Sequence, residues 1–407
     1  MIKFPQGFLW GAATSAYQVE GNNANCDWWQ WEKAAGRENS GEACRHYELY
    51  EQDFDLAKSL NHNSHRLSIE WSRIEPEEGK FSEEQLKHYL DVVLALKARN
   101  IEPVVTLHHF TNPLWISRTG GWENRRCVAA FSRYCDFVVR ALAKHVRYWV
   151  TINEPVVYAY HAYILGVWPP QEKSYLKAKA VEDNFVAGHI KTYRLIRGIY
   201  QGLGLPLPFI SIAHNMQAFV PCSPDLKNRF AAYLRDKWYN FGFLDKIMAQ
   251  KTMDFIGVNY YSRQLVDLKK WGISNLAMDV CNEGHHPVKK NSLGWDIYPE
   301  GLYDLLLKLM KRYGLAVMVT ENGICTSDDD LRWEYIESHL RNIHRAMGKG
   351  ANVIGYLYWS LMDNFEWDKG FGPRFGLVDI DYRTYRRTAR ESALNLARVC
   401  KTGILPE

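Results

Sequence analysis

An α/β fold, a single-domain (β/α)8 TIM barrel, is what the sequence predicts, on three observations. Eight short apolar runs are spaced along the 407 residues. Most are continuous rather than alternating, as parallel strands covered on both faces should be. Helical periods lie between them, the pattern of a closed parallel sheet inside a ring of helices. The runs are 8–13, 65–69, 103–107, 148–152, 209–213, 255–259, 316–320 and 353–358.

Taken in order, the first run leads to Gln18, Val19 and Glu20. The second contains Arg66 and continues into Glu70-Trp71-Ser72-Arg73. Ser82-Glu83-Glu84-Gln85 is a capping box ahead of a helix over 85–99, with Leu86, Tyr89, Leu90 and Val93 on one stripe. The third run leads to His108-His109-Phe110, and a helical period follows over 127–146. The fourth ends in Asn153-Glu154-Pro155 and the sixth in Asn259-Tyr260-Tyr261. A helix over 300–313 is stopped by Gly314. The seventh run ends in Glu321-Asn322-Gly323, before a helix over 330–347. The eighth ends in Trp359-Ser360, then Asp363-Asn364-Phe365-Glu366-Trp367. An open doubly wound sheet would usually carry a G-x-G-x-x-G turn after its first strand. None is present, and the glycines of 370–376 have the wrong spacing and context. No linker or repeat divides the chain, so 1–407 reads as one catalytic domain.

Composition narrows the function. With 50 basic and 46 acidic residues the net charge is +4, without the concentrated basic face of a nucleic-acid binder. Apolar residues at 47% and charged residues at 24% fit an ordinary globular chain. The 14% aromatic content, with 15 Trp and 24 Tyr, suits flat apolar faces such as sugar rings. The start, Met1 to Trp10, has neither a long apolar core nor a small-residue cleavage site, so no signal peptide is expected. No apolar stretch approaches the roughly 18 residues of a membrane span. Eight scattered cysteines lack C-x-x-C or zinc spacing and read as free thiols of a reducing cytoplasm. The adjacent His285-His286 reads as solvated rather than metal-binding, Cys325 as inert, and the basic run 385–390 as a helix surface or cap.

Barrel chemistry sits at the carboxyl ends of strands, and polar or aromatic residues recur at that end of nearly every run. Glu154 and Glu321, on opposite sides of one mouth, suit glycoside hydrolysis, which needs one carboxyl as acid/base and another as nucleophile. The acid must hold its proton near neutral pH, which desolvation and the partner's negative charge would favour. Arg66, projecting beside Glu321, would favour the ionised nucleophile.

These residues resemble the family 1 glycoside hydrolases over nearly the whole chain. The resemblance rests on 8–21 (Phe8-Leu9-Trp10-Gly11 through Gln18-Val19-Glu20-Gly21), Thr151-Ile152-Asn153-Glu154-Pro155, Val319-Thr320-Glu321-Asn322-Gly323 and 358–367 (Tyr358-Trp359-Ser360 through Phe365-Glu366-Trp367). It implies an exo-acting retaining β-glycosidase of the β-glucosidase type, with Glu154 as acid/base and Glu321 as nucleophile. Asn153 would hold the 2-hydroxyl. Gln18, His109, Glu366 and Trp367 would bind other hydroxyls, with Trp359 under the ring. Arg66, Asn259 and Tyr261 would support the nucleophile, Tyr261 through its hydroxyl. The implied substrates are β-glycosides or short oligosaccharides, with no metal or cofactor, no nucleic acid and no membrane. The acidic Glu366 would repel a 6-phosphate, so unphosphorylated sugars are expected. A noncatalytic sugar binder would show binding without turnover; a transglycosidase would differ only in the acceptor.

Three departures stand out. His108-His109-Phe110 replaces the frequent Tyr-His-Trp, so Phe110 lacks an indole N–H. His65 replaces a common aromatic before the arginine. The stretch between Trp238 and Asp254 is shorter than is usual.

Overall fold

The structure, a computed structural model, describes residues 1–268, 279–280 and 288–406. Eight parallel strands close into a barrel: β1 (Leu9–Ala13), β2 (Ser64–Ser68), β3 (Glu102–Thr106), β4 (Tyr148–Asn153), β5 (Phe209–Pro221), β6 (Ile256–Asp267), β7 (Val317–Asn322) and β8 (Val353–Trp359). Each pairs with its neighbour in sequence, and β8 returns to β1 with Gly355 opposite Leu9 and Trp359 opposite Ala13.

Six of the apolar runs match their strands to within two residues. β5 and β6 run on past the barrel, pairing Ala218 with Arg263 through to Pro221 with Val266. These extensions are half-buried rather than apolar throughout. A continuous apolar run therefore marks only the part of each strand that is covered on both faces.

Inside the barrel Val104, Tyr148, Val150, Phe255, Met318 and Leu357 pack as their own cluster. This plug fills the lower barrel, as in other packed barrels of this kind, and leaves chemistry to the carboxyl ends. A larger apolar cluster joins the outer faces of the strands to the helices. The helix Glu83–Ala98 is capped by Ser82, whose hydroxyl accepts from the Gln85 N–H at 3.2 Å. Arg126–Leu142 and Asp329–Met347 fall on the other two periods, and Pro299–Tyr313 ends at Gly314 with φ 66°. No described helix is long and apolar enough to cross a membrane.

Two expectations change. Within the basic run, Arg386–Ala389 forms a strand paired with Val378–Asp381, not a helix surface. Its residues alternate in burial, and Arg387 turns inward to bind Asp53 at 2.7 Å. Arg390 does take the N-cap position of the next helix, Glu391–Thr402. Among the cysteines, Cys222 is disulfide-bonded, while Cys26, Cys44, Cys127, Cys135, Cys325 and Cys400 are free. The all-thiol reading therefore fails at Cys222, because scattered spacing carries no information on which side chains meet in space. Cys281 and the His285-His286 pair lie outside the described residues.

Candidate active site

Glu154 follows β4 and precedes the helix Pro155–Tyr160, in a left-handed conformation with φ 44°. The pairing register shifts between Val150 and Asn153. A second shift falls where β6 meets β7, between Val258 and Asn259, opposite Glu321. Such irregularities re-aim side chains at strand ends. Here they turn two glutamates and two asparagines into one mouth. Gly323 completes the turn after Glu321: a Cβ there would lie 1.9 Å from the Trp359 carbonyl oxygen, so only glycine lets the two strand ends approach.

Arg66, fully buried on β2, is the hub. Its Nη1 donates to Glu321 Oε1 at 2.5 Å, its Nη2 to Asn153 Oδ1 at 2.7 Å and its Nε to Thr106 Oγ1 at 3.0 Å. Tyr261 Oη donates to the other Glu321 oxygen at 2.5 Å. Asn259 Nδ2 donates to Glu154 Oε1 at 2.9 Å and reaches Asn153 Oδ1 at 3.2 Å, while Thr320 Oγ1 donates to Asn259 Oδ1 at 2.7 Å. Asn153 Nδ2 lies 3.0 Å from His109 Nε2.

The remaining predicted residues ring the same mouth. Gln18 lies on the short helix Ala16–Val19. Its amide carbonyl accepts from Ser15 Oγ at 2.7 Å; its Nε2 donates to the Phe365 carbonyl at 2.8 Å and Glu366 Oε2 at 3.3 Å. His109 stacks between Trp359 and Trp367, at 6.1 and 5.9 Å between ring centroids. Trp359 is backed by Cys325 and Phe375. Phe110 packs on Trp168 at 5.1 Å and on Trp367 at 5.0 Å. Every residue predicted for the site is thus in one connected cluster. His108 lies beneath it, with Nε2 3.1 Å from Asn112 Oδ1, and His65 contacts Thr14 at 3.1 Å, both in packed interior positions.

The two central glutamates have unlike surroundings. Glu154 receives only neutral amide donors, so burial, then the charge of Glu321, push its carboxyl up to about 8. Burial also raises Glu321, but Arg66, Tyr261 and Asn259 oppose it. Glu366 rises to about 8 through burial and the charges of Glu321, Asp368 and Glu154. Burial, reinforced by Arg66, holds His109 well below its ordinary value, so its ring is neutral. The site therefore offers two carboxyls, Glu154 and Glu366, pushed toward their protonated forms, a third, Glu321, whose ionised form Arg66 favours against burial, and a set of hydroxyl-binding groups.

Sequence reasoning missed Asn215, whose Nδ2 donates to Glu154 Oε1 at 3.0 Å and whose carbonyl accepts from Tyr239 Oη at 2.8 Å. Had the fifth strand been followed past 213, the His214-Asn215 pair would have been its polar follower. Trp168, whose Nε1 donates to Asp368 Oδ1 at 2.9 Å, is the other omission; no pattern in the sequence marks it.

Comparison with known proteins matches this chain to the model of glycosyl hydrolase family 1 over residues 1–252 and 243–403. The chain belongs to glycosyl hydrolase family 1. The 1,4-β-D-glucan glucohydrolase of Thermotoga neapolitana is 30% identical over 454 aligned residues, covering 100% of both chains. β-Glucosidase A of Acetivibrio thermocellus is 31% identical over 450, covering 99% of each. Among solved structures, the β-glycosidase from Pyrococcus horikoshii has a TM-score of 0.94 at 39% identity, covering 100% of this chain and 96% of that one. The two segments of the family match overlap at 243–252, within the stretch between Trp238 and Asp254 that reads as shortened. In this family 1 chain the helix Gly242–Met248 follows directly on the helical turn Asp236–Phe241.

Proposed function

We propose that this family 1 chain is an exo-acting retaining β-glycosidase that removes terminal unphosphorylated β-linked sugars from small glycosides or short oligosaccharides, with residues 1–407 as one catalytic domain. The unlike settings of Glu154 and Glu321 carry the reading. Glu321, paired with a buried guanidinium, is the nucleophile that attacks the anomeric carbon. Glu154, with its raised pKa, protonates the leaving oxygen and then takes a proton from the water that releases the sugar. Atoms balance across the two steps: the bond to the aglycone is replaced by an ester to Glu321, then by a bond to water oxygen.

Gln18, His109, Asn153, Glu366 and Trp367 bind the sugar hydroxyls, with Trp359 under the ring. Arg66, Asn259 and Tyr261 hold Glu321 and Glu154 in register. The relatives carry glucohydrolase, β-glucosidase, β-galactosidase and 6-phospho-β-galactosidase names, so glucose and galactose both stand as the sugar, to be decided by the panel below. Burial, then the charges of Glu321, Asp368 and Glu154, already raise the pKa of Glu366; a phosphate dianion would add to that negative charge, which supports unphosphorylated substrates. The reaction asks for two carboxylates and water, with no cofactor or metal. Among the described residues, the free cysteines fit a reducing cytoplasm, and the disulfide at Cys222 is compatible with one where intracellular disulfides persist.

The test is a panel of aryl β-glycosides differing in the sugar, run with the purified protein and its Glu321→Ala variant. Turnover by the parent that vanishes in the variant supports the assignment, and the fastest sugar identifies the preferred one. Turnover retained by Glu321→Ala sinks it.

A further inference from the structure

Two carboxylates, the buried Glu70 and the half-buried Asp27, stand outside the cleft and grip the loop that carries His109 and Phe110. We propose that Asp27 and Glu70 are positioning residues that fix His109 and Phe110 against the sugar through Asn112 and Thr111. This rests on the reading of His109 as a sugar ligand.

The grip is direct. Asp27 accepts from the Asn112 backbone N–H at 2.9 Å on one oxygen and from Asn112 Nδ2 at 2.8 Å on the other. Its own N–H donates back to the Asn112 carbonyl at 3.0 Å. Glu70 accepts from Thr111 Oγ1 at 2.9 Å on one oxygen and from Ser72 Oγ at 2.8 Å on the other. Two consecutive residues after Phe110 are thus tied to carboxylates from two different connections: Asp27 opens the helix Asp27–Ala34 after β1, and Glu70 caps the short helix Trp71–Ile74 after β2. Asn112 is held a third time, because its Oδ1 accepts from Trp122 Nε1 at 2.9 Å.

The loop needs such restraint. Phe110 has φ 70°, a left-handed conformation that is strained for a bulky residue and persists only where its surroundings over-determine it. Phe110 packs on Trp367, and the adjacent His109 contacts Asn153. Relaxation of Phe110 would shift both sugar-facing rings together. The carboxylates are themselves expensive to keep: burial pushes Asp27 up to about 6, and burial followed by the charge of Glu20 pushes Glu70 up to about 7. Their donors are neutral amides and hydroxyls, so they act as fixed acceptors aimed at the loop rather than as halves of ion pairs. Neither carboxylate touches the reacting glutamates, so their loss should weaken sugar binding and leave the chemical step alone.

Kinetics on the best aryl β-glycoside tests this with three variants and a control. Thr111→Val deletes one hydroxyl and Asp27→Asn sets two amides against each other. Each is expected to raise KM about tenfold, or about 1.4 kcal/mol, with kcat changed less than about threefold. Asp27→Asn/Asn112→Asp restores a donor–acceptor pair with the roles exchanged and should return KM to within about threefold of the parent, a rescue that a general loss of stability would not give. The control, His109→Ala, separates the two readings. A KM unchanged in His109→Ala overturns the sugar-site reading and this proposal with it. A KM raised in His109→Ala but unchanged in Thr111→Val and Asp27→Asn overturns this proposal alone, as does failure of the double variant to rescue. Should Asp27→Asn not fold, Asn112→Ser, which removes the amide donated to Asp27, takes its place beside Thr111→Val, and an unchanged KM there overturns the role of Asp27.

Discussion

Arg66 Nη1 sits 2.5 Å from Glu321 Oε1, both side chains buried, and the same guanidinium reaches Asn153 Oδ1 at 2.7 Å. One cation thereby sets both the charge of one glutamate and the orientation of the residue preceding the other. Removing it strands a buried carboxylate. Arg66→Met is expected to lose about 3–5 kcal/mol of stability, the usual penalty for breaking a buried pair on one side, measured by denaturant unfolding. The nucleophile must be ionised to attack, and Arg66 favours that form. Its loss therefore raises the Glu321 pKa, and the acidic limb of kcat/KM moves to higher pH. An unmoved limb would show that Arg66 is structural only.

Glu154 matters most where the leaving group needs a proton. Glu154→Gln is expected to lose ~10²–10⁴ in kcat/KM on glycosides of alkyl alcohols. Nitrophenyl glycosides, whose phenolate leaves unaided, should lose far less in the same parameter. Equal losses on both substrates would remove Glu154 from the acid role.

Much of this arrangement was legible in the sequence, for identifiable reasons. Strands buried on both faces must be apolar, so six of them could be bounded closely from their apolar runs alone. Arg66, Glu154 and Glu321 stood out because charged groups flush with apolar strands are costly unless partnered. Asn215 was not legible, since β5 turns half-exposed before it ends and the apolar run stops too early. The grip of Asp27 on Asn112 spans 85 residues, and that of Glu70 on Thr111 spans 41; neither leaves a periodic trace. Cys222 and Arg387 escaped for the same reason: their partners are fixed by tertiary packing rather than by local pattern.

The pH profile offers a further check. Glu154 must be protonated to act as the acid, and its pKa is pushed up to about 8 in the free protein by burial and by Glu321. The activity should therefore fall as pH rises through about 8. Asn215 favours the ionised form by donating to Glu154, so Asn215→Ala should move the basic limb of kcat/KM upward. Glu366 also titrates near about 8; Glu366→Gln should lower activity through sugar binding but leave a basic limb in place. A limb abolished by Glu366→Gln would assign it to Glu366 instead.

The account centres on Glu321 attacking the sugar from one face while Glu154 serves the other bond, which requires carboxyl groups ~5–5.5 Å apart and net retention. Proton NMR of the sugar released in the first moments of hydrolysis, before mutarotation, reads this directly. The account predicts the β-anomer as the first product. The α-anomer appearing first would contradict it, since that outcome requires direct attack by water and leaves Glu321 no place as the nucleophile.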